Sequence, residues 1–310
     1  MPPATPPPSG PESPVLPPYG RLPAGHRLPA ATRLGPVRLQ VSSLDQSTRW
    51  YTQLLGLHRL TVTPNEAQLG TPAGTPLLIL EERPGTRPVR EGSRLGLYHV
   101  AILLPSRAAL GRLLRHLAMH REPIGASDHL VSEALYLHDP DGLGIEVYAD
   151  RPRRDWAVDG LELRMATDPL DGPGLLAAAG EVPWDGMPSG TVVGHVHLHV
   201  GDLEAAGRFY GDAIGFDRMV WRYPGALFLG AGGYHHHLGT NTWARGASPA
   251  GDQDARLLEW TIELPTGGEV AAVAESLRAA GHLVTLGADG AVVEDPWGTR
   301  LRLYEMAETT

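Results

Sequence analysis

The sequence predicts an α+β protein built from four βαβββ modules that curl in pairs into two cupped-sheet barrels. Two repeated patterns and the composition lead to this prediction. With 310 residues, the chain exceeds the usual size of a single compact domain. Hydrophobic residues make up 42% of it, which is enough for a sizeable core.

The first repeat starts with an alternating strand. Val-Arg-Leu-Gln-Val at 37–41 recurs as Val-His-Leu-His-Val at 196–200, and the residues that follow recur at the same offset. A helical segment follows each strand, and Gly56 and Gly215 stand where these helices should end. The pattern predicts modules at 35–82 and 192–240.

The second repeat lies between and after these segments. A strand ending at Pro105 recurs as a strand ending at Pro265, and each is followed by a helical stretch. Asp-Pro-Asp-Gly at 139–142 recurs as Asp-Pro-Trp-Gly at 295–298, again before an alternating strand. The other two modules are therefore predicted at 97–150 and 257–305.

The modules divide the chain into four parts. Residues 1–34 contain eleven prolines and are predicted to be a disordered arm. The first module pair occupies 35–150, a Gly-, Pro- and Asp-rich linker covers 151–191, and the second pair occupies 192–305.

Net charge and hydropathy limit the kinds of binding partner that the sequence predicts. A formal net charge of −9 argues against nucleic acid and anionic membranes. No signal peptide and no apolar run long enough to span a membrane is found, so we expect a cytoplasmic protein with a small-molecule substrate. The sequence leaves the oligomeric state open, and a homo-oligomer is compatible with it.

The chain has no cysteine, so any bound metal must be held by His, Asp or Glu side chains. Its fourteen histidines are candidate ligands. The first and last strands of modules 2 and 3 carry His99, Glu146 and His195. Two imidazoles and one carboxylate form a facial set that leaves positions open on non-haem Fe(II). Modules 1 and 4 carry Pro36 and Arg302 at the matching points and are expected to form a barrel without metal.

Further polar residues could assist such a centre. His236, in the run His235-His236-His237, would face opposite to its neighbours if the run were a strand, and an imidazole there could act as an acid–base group. Tyr136 could bind a substrate oxygen, and His129 could support the site. Each of the three also has a purely structural alternative: His236 as part of a polar edge strand, Tyr136 as a packed aromatic ring and His129 as a loop residue.

The combined motifs resemble the vicinal oxygen chelate superfamily, and most closely its catechol-2,3-dioxygenase group of extradiol enzymes. They are Gly-Leu-Tyr-His-Val-Ala-Ile at 96–102, the segment from Asp139 to Tyr148, Gly-His-Val-His-Leu-His-Val-Gly-Asp-Leu at 194–203, and the Tyr-His-His-His run. The resemblance covers about 35–305.

The resemblance implies that His99, Glu146 and His195 bind Fe(II), with Mn(II) as the alternative metal. It also implies that Tyr136 contacts the substrate, that His236 is the acid–base histidine and that His129 lies beside it. The better-known relatives carry their ligands in the last two modules. The positions here therefore require that modules 2 and 3 pair with each other and that modules 1 and 4 pair around them. If neighbouring modules pair instead, one barrel holds His99 and Glu146 while the other holds His195, and no shared site forms.

These implications predict a dioxygenase that cleaves a small aromatic diol with O2. Two alternatives use the same cup: a glyoxalase-type lyase, isomerase or thiol transferase, and a protein that binds a drug or aromatic compound without chemistry. Glyoxalase-type sites usually add a second acidic ligand, whereas histidines stand at the fourth corner here. A regulatory protein, suggested only by the Pro-rich arm, is a further alternative.

Overall fold

The computed structural model describes residues 19–287 and 290–307, in which each module has one helix and four strands. A short strand β1 (Arg33–Leu34) leads into module 1, which has β2 (Val37–Val41), α1 (Leu44–Gln53), β3 (His58–Val62), β4 (Glu66–Gly70) and β5 (Pro76–Glu82). Module 2 has β6 (Gly96–Leu103), α2 (Arg107–Met119), β7 (Gly125–Asp128), β8 (Ser132–His138) and β9 (Gly144–Asp150).

The second half follows the same plan after a connecting segment. That segment has a 3-10 helix (Arg153–Asp155), β10 (Val158–Asp159), β11 (Glu162–Leu163) and α3 (Gly172–Ala179). Module 3 has β12 (Val192–His199), α4 (Leu203–Ala206, continued as a π-helical segment Gly207–Ile214), β13 (Asp217–Val220), β14 (Ala226–Gly230) and β15 (Leu238–Asn241). Module 4 has β16 (Arg256–Leu264), α5 (Gly267–Ala279), β17 (Thr285–Gly287), β18 (Gly290–Glu294) and β19 (Arg300–Glu305).

The modules pair centre with centre and outside with outside. One sheet has the strand order β13-β14-β15-β12-β6-β9-β8-β7 and joins modules 2 and 3 through antiparallel β6 and β12. The other has the order β17-β18-β19-β16-β2-β5-β4-β3 and joins modules 1 and 4. We call them the 2–3 barrel and the 1–4 barrel. The predicted α+β fold of two cupped sheets is confirmed.

The module helices begin and end where local chemistry favours it. The side chains of Ser43, Ser106, Asp202 and Thr266 each accept a hydrogen bond from a backbone N–H in the first helical turn. Gly56 and Gly215 have φ values of 72° and 106°, so both predicted helix-terminal glycines adopt the left-handed conformation.

Two buried tyrosines connect the barrels. Tyr51 on α1 donates a hydrogen bond to Asp139 in the turn before β9 (3.0 Å). Tyr210 on the π-helical continuation of α4 donates to Asp295 in the matching turn before β19 (2.8 Å). Each bond links a helix of one barrel to a strand connection of the other, so the Asp-Pro turns found in the sequence hold the two barrels together.

The predicted disordered arm needs correction from residue 19 onward, while residues 1–18 lie outside the described part of the chain. Tyr19 and Leu28 are buried, and Arg27 forms two hydrogen bonds to Asp217. Leu34 is also buried, and β1 pairs with β16. Proline content alone overestimated the length of the arm, because these side chains gain burial and ion pairing against both barrels.

The linker is also more structured than its composition suggests. Helix α3 packs on α2 through buried Leu175, and β10 and β11 form a two-stranded sheet. None of the helices among the described residues is long and apolar enough to cross a membrane.

Candidate metal centre and active site

Three potential ligands lie on three adjacent strands of the 2–3 barrel. Ala101 on β6 is paired with Glu146 on β9 and, on its other side, with His195 on β12. His99 lies two residues before Ala101 and therefore on the same face of β6. The small Ala101 side chain leaves space between the three larger ones.

The ligand atoms converge. One atom from each of His99, Glu146 and His195 lies within 4.8 Å of the others. Glu146 Oε2 is 2.9 Å from His99 Nε2 and 3.2 Å from His195 Nε2. All three residues are at most 4% exposed. In the described part of the chain, no other group of three His, Asp or Glu side chains meets this criterion.

The protonation states suit a cation. Burial alone would raise the pKa of Glu146, but the adjacent His195 and His99 hold it well below its usual range. Burial lowers the pKa of His195 to about 4. Near pH 7 the cluster therefore holds an ionised carboxylate beside an uncharged His195 imidazole, and His195 is in the form that binds metals.

The cluster passes a test of fit for a divalent metal. His99 Nε2 is buried and makes no hydrogen bond, although it lies close to the Glu146 carboxylate. Burying an unpaired polar atom costs free energy unless a further group satisfies it. Two imidazoles and one carboxylate suit Fe(II) and similar ions, and a metal between them would satisfy His99.

A tyrosine–histidine pair flanks the cluster. Tyr136 on β8 is directly opposite Glu146 on β9. His129 uses Nδ1 to donate to the carbonyl oxygen of Ala166 (2.6 Å), which leaves Nε2 to accept from the Tyr136 hydroxyl (2.5 Å). Burial and the charge of Glu146 raise the pKa of Tyr136 well above its usual value. The phenol therefore stays protonated and oriented.

The histidine run differs from the prediction in its backbone. His235, His236 and His237 lie in the turn between β14 and β15 and not in a strand, because β15 starts only at Leu238. Of the three, His236 alone lines the cavity. Its ring centroid lies 4.1 Å from that of His195, and burial together with neighbouring His195 lowers its pKa well below the usual range.

One cavity of about 700 Å³ contains all six residues singled out in the sequence. Its walls are largely apolar and aromatic; they include Tyr98, Ile124, Met165, Tyr223, Phe228 and Trp243. Sequence reasoning missed these wall residues because they come from separate strands and loops. It also missed His197, although the alternation of His195, His197 and His199 could have indicated a shared face.

The fourth corner of the cup is occupied by a glycine and not by the histidine run that the sequence placed there, because that run ends before β15 begins. Ala101 stands two residues after His99 and pairs with Glu146, whereas His197 stands two residues after His195 and pairs with Gly239. Gly239 thus takes the position that corresponds to Glu146 in module 3. A Cβ atom there would come within 2.8 Å of the His197 ring, so the imidazole fills that space.

Comparison with known proteins places the chain in a family. The model of the Glyoxalase/Bleomycin resistance protein/Dioxygenase superfamily matches residues 33–147. The chain is 44% identical to the "Catechol-2,3-dioxygenase" of Bacillus subtilis (strain 168) over 269 residues, which cover 86% of this chain and 94% of that protein. The chain belongs to this superfamily. It is a catechol-2,3-dioxygenase-like enzyme within it.

Two further comparisons match the chain less fully. The chain is 32% identical to "Biphenyl-2,3-diol 1,2-dioxygenase 3" of Rhodococcus globerulus over 123 residues, which cover 38% of this chain and 63% of that protein. The structure of glyoxalase I from Zea mays superposes with a TM-score of 0.55 at 19% identity, covering 89% of this chain and 92% of that one. The latter similarity concerns the fold alone.

Proposed function

We propose that the chain is an extradiol (meta) ring-cleaving dioxygenase that opens a catechol-type aromatic ring with O2 and Fe(II), or Mn(II) in its place. The observation that carries this proposal is the buried His99, Glu146 and His195 cluster, which shares one cavity with an acid–base candidate and a phenol. The dioxygenase-type relative, 44% identical over most of the chain, supports it.

In this proposal, His99, Glu146 and His195 hold the metal. When bound, the ion supplies a positive centre with open positions where two adjacent ring oxygens and O2 can meet. The Glu146 carboxylate offsets one charge of the ion. No Lys or Arg lines this cavity, so a catecholate anion meets no competing side-chain cation among the described residues.

The remaining polar residues handle protons and orientation. His236 is uncharged near pH 7, so it can accept a proton from a catechol hydroxyl. Tyr136 donates a hydrogen bond to His129, which leaves a lone pair on its oxygen free to accept a hydrogen bond from the substrate. The largely apolar and aromatic walls favour an aromatic substrate. The cytoplasmic location stays a prediction.

The glycine at the fourth corner separates this proposal from a glyoxalase-type reaction. Gly239 supplies no side chain where a second acidic ligand would stand, and His197 fills the space. The site therefore offers three protein ligands and keeps more positions for substrates.

Oxygen uptake with catechol tests the proposal. Protein loaded anaerobically with Fe(II), and in parallel with Mn(II), is mixed with catechol in air. We expect oxygen consumption together with the yellow absorbance of the ring-cleaved product. Metal-loaded protein that binds catechol without either signal would contradict the proposal and favour a binding protein. His99→Ala should lose both the metal and the turnover.

A further inference from the structure

A chain of hydrogen bonds leads from His236 away from the cavity. His236 Nδ1 lies 2.6 Å from His235 Nδ1, and His235 Nε2 lies 2.9 Å from Asp150 Oδ1. His235 is fully buried, whereas the Asp150 side chain is 27% exposed. The chain therefore connects the cavity wall to a carboxylate at the surface, and Asp150 ends the same strand, β9, that carries Glu146.

The chemistry of each atom assigns the protons along this chain. A carboxylate only accepts hydrogen bonds, so His235 carries a proton on Nε2. In the form of His235 that carries this one ring proton, Nδ1 is an acceptor, and His236 donates through its own Nδ1. This leaves His236 Nε2 with a lone pair. That nitrogen has no hydrogen-bond partner among the described residues, and the side chain lines the cavity.

Other residues fix Asp150 in place. The Tyr234 hydroxyl donates to Asp150 Oδ1 (3.2 Å), and the Tyr148 hydroxyl is 2.7 Å from that of Tyr234. Gly194 makes room for this arrangement, because a Cβ there would lie 1.8 Å from the Tyr148 oxygen. Asp150 thus accepts two hydrogen bonds in a fixed geometry and is not a freely rotating surface acid.

We propose that Asp150 is a positioning residue that acts through His235 to hold His236 as the Nδ1–H tautomer, with the Nε2 lone pair available in the cavity. The inference rests on the proposed function, in which His236 takes a proton from the catechol. If Asp150 is removed, His235 can place its proton on Nδ1. His236 then carries its proton on Nε2, where it cannot act as the base.

Nitrogen NMR of the full-length protein tests the His236 tautomer directly. The protein is labelled with ¹⁵N-histidine and loaded with diamagnetic Zn(II), a metal that accepts imidazole and carboxylate ligands. We expect wild-type His236 to show the Nδ1–H pattern and His235 the Nε2–H pattern. Asp150→Leu should convert His236 to Nε2–H or to a mixture. An unchanged His236 pattern in this variant would overturn the proposal.

A matched pair of variants covers the case in which Asp150→Leu does not fold. His235→Phe removes the middle of the chain but keeps a ring, and it should release the His236 tautomer. His237→Phe changes the next residue in the same turn. His237 accepts a hydrogen bond from Ala231 N–H and takes no part in the hydrogen bonds that link His236, His235 and Asp150. The variant should leave the His236 pattern intact. Equal effects of the two Phe variants would count against the inference.

Kinetics of the Fe(II)-loaded protein separate this inference from the proposed function. Asp150→Leu and His235→Phe should lower kcat for catechol by about 10–100-fold, as expected for a misdirected base, with KM within about threefold. His237→Phe should stay within about threefold of wild type in both constants. If the wild type shows the predicted tautomers but no ring cleavage, the proposed function is contradicted, while the effect of Asp150 on the His236 tautomer is still supported. If Asp150→Leu cleaves the ring with an unchanged kcat, the inference that Asp150 acts on the base through His235 is overturned.

Discussion

The two barrels share a backbone plan but balance charge in opposite ways. By the repeat, Glu259 and Arg302 of the 1–4 barrel stand where His99 and Glu146 stand in the 2–3 barrel. Arg302 donates to Glu259 (2.7 Å), so the acid at this position already has a cationic partner. In the 2–3 barrel, the partners of Glu146 at ion-pair distance are the imidazoles of His99 and His195, with no guanidinium.

The other acidic side chains that we compare in the 1–4 cup are also paired with arginines. Arg38 and Arg83 form ion pairs with Glu81, and Arg300 forms a second pair with Glu259. These pairs are partly exposed, whereas His99 and Glu146 are almost completely buried. The comparison shows that one scaffold supports two kinds of cup: one neutralised by its own side chains, and one with a buried acid that a metal ion would neutralise.

The largest expected effect is the loss of metal binding from one barrel only. Glu146→Gln removes the sole negative charge of the cluster and should weaken Fe(II) binding by more than about 100-fold. Glu259→Gln, the matched change in the 1–4 barrel, should leave metal content and oxygen uptake near wild type. Calorimetric titration and the rise in Tm on adding metal measure metal binding in the two variants. Equal metal loss in the two variants would break the comparison.

The second effect concerns the fourth corner. Gly239→Ala places a Cβ about 2.8 Å from the His197 ring and should lower the free energy of unfolding by about 1–3 kcal/mol through overpacking. The matched residue in the 1–4 barrel is Ile79, which pairs with Arg38 as Gly239 pairs with His197. Because Ile79 is only half-buried, Ile79→Val should cost less than the roughly 0.5–1.5 kcal/mol typical of a fully buried position. Urea unfolding measures both, and a neutral Gly239→Ala would show that this corner is not filled.

The sequence was sufficient to predict the scaffold, because its modules repeat, and the cluster, because its three residues depart from that repeat. The similar offsets between the two halves reveal the modules, and the lack of a matching His or Glu at Pro36 and Arg302 points to the pairing of modules 2 and 3. That pairing is what brings His195 next to Glu146. Periodicity and position along a strand carry this information without any knowledge of loops.

Features that depend on tertiary contacts could not be predicted in the same way. The run from His235 to His237 lies in a turn because β15 starts later than alternation suggests. Asp150 and His235 are far apart in the chain, and only the β9 and β14–β15 geometry brings them together. Residues 19–34 pack through a few specific side chains that composition does not reveal.

The third effect should be the same in both halves. Tyr51→Phe and Tyr210→Phe each remove a buried hydrogen bond to an aspartate and should each lower the free energy of unfolding by about 1–2 kcal/mol, as measured by urea unfolding. Similar values would show that the barrels share their supporting contacts and differ only in their cups. A loss in one variant with none in the other would indicate that the two contacts between the barrels are not equivalent.

The smallest effect tests how much the ion pairs of the 1–4 cup contribute. Glu259→Gln removes the acceptor of Arg300 and Arg302, but the Arg302 side chain is 34% exposed and Glu259 13%. Partly hydrated pairs contribute little, so we expect a loss of at most about 1 kcal/mol that shrinks in high salt. Urea unfolding at low and high ionic strength measures it. A larger, salt-independent loss would mean that this cup is held together by its ion pairs rather than merely neutralised by them, and the contrast between the barrels would then lie in stability as well as in charge.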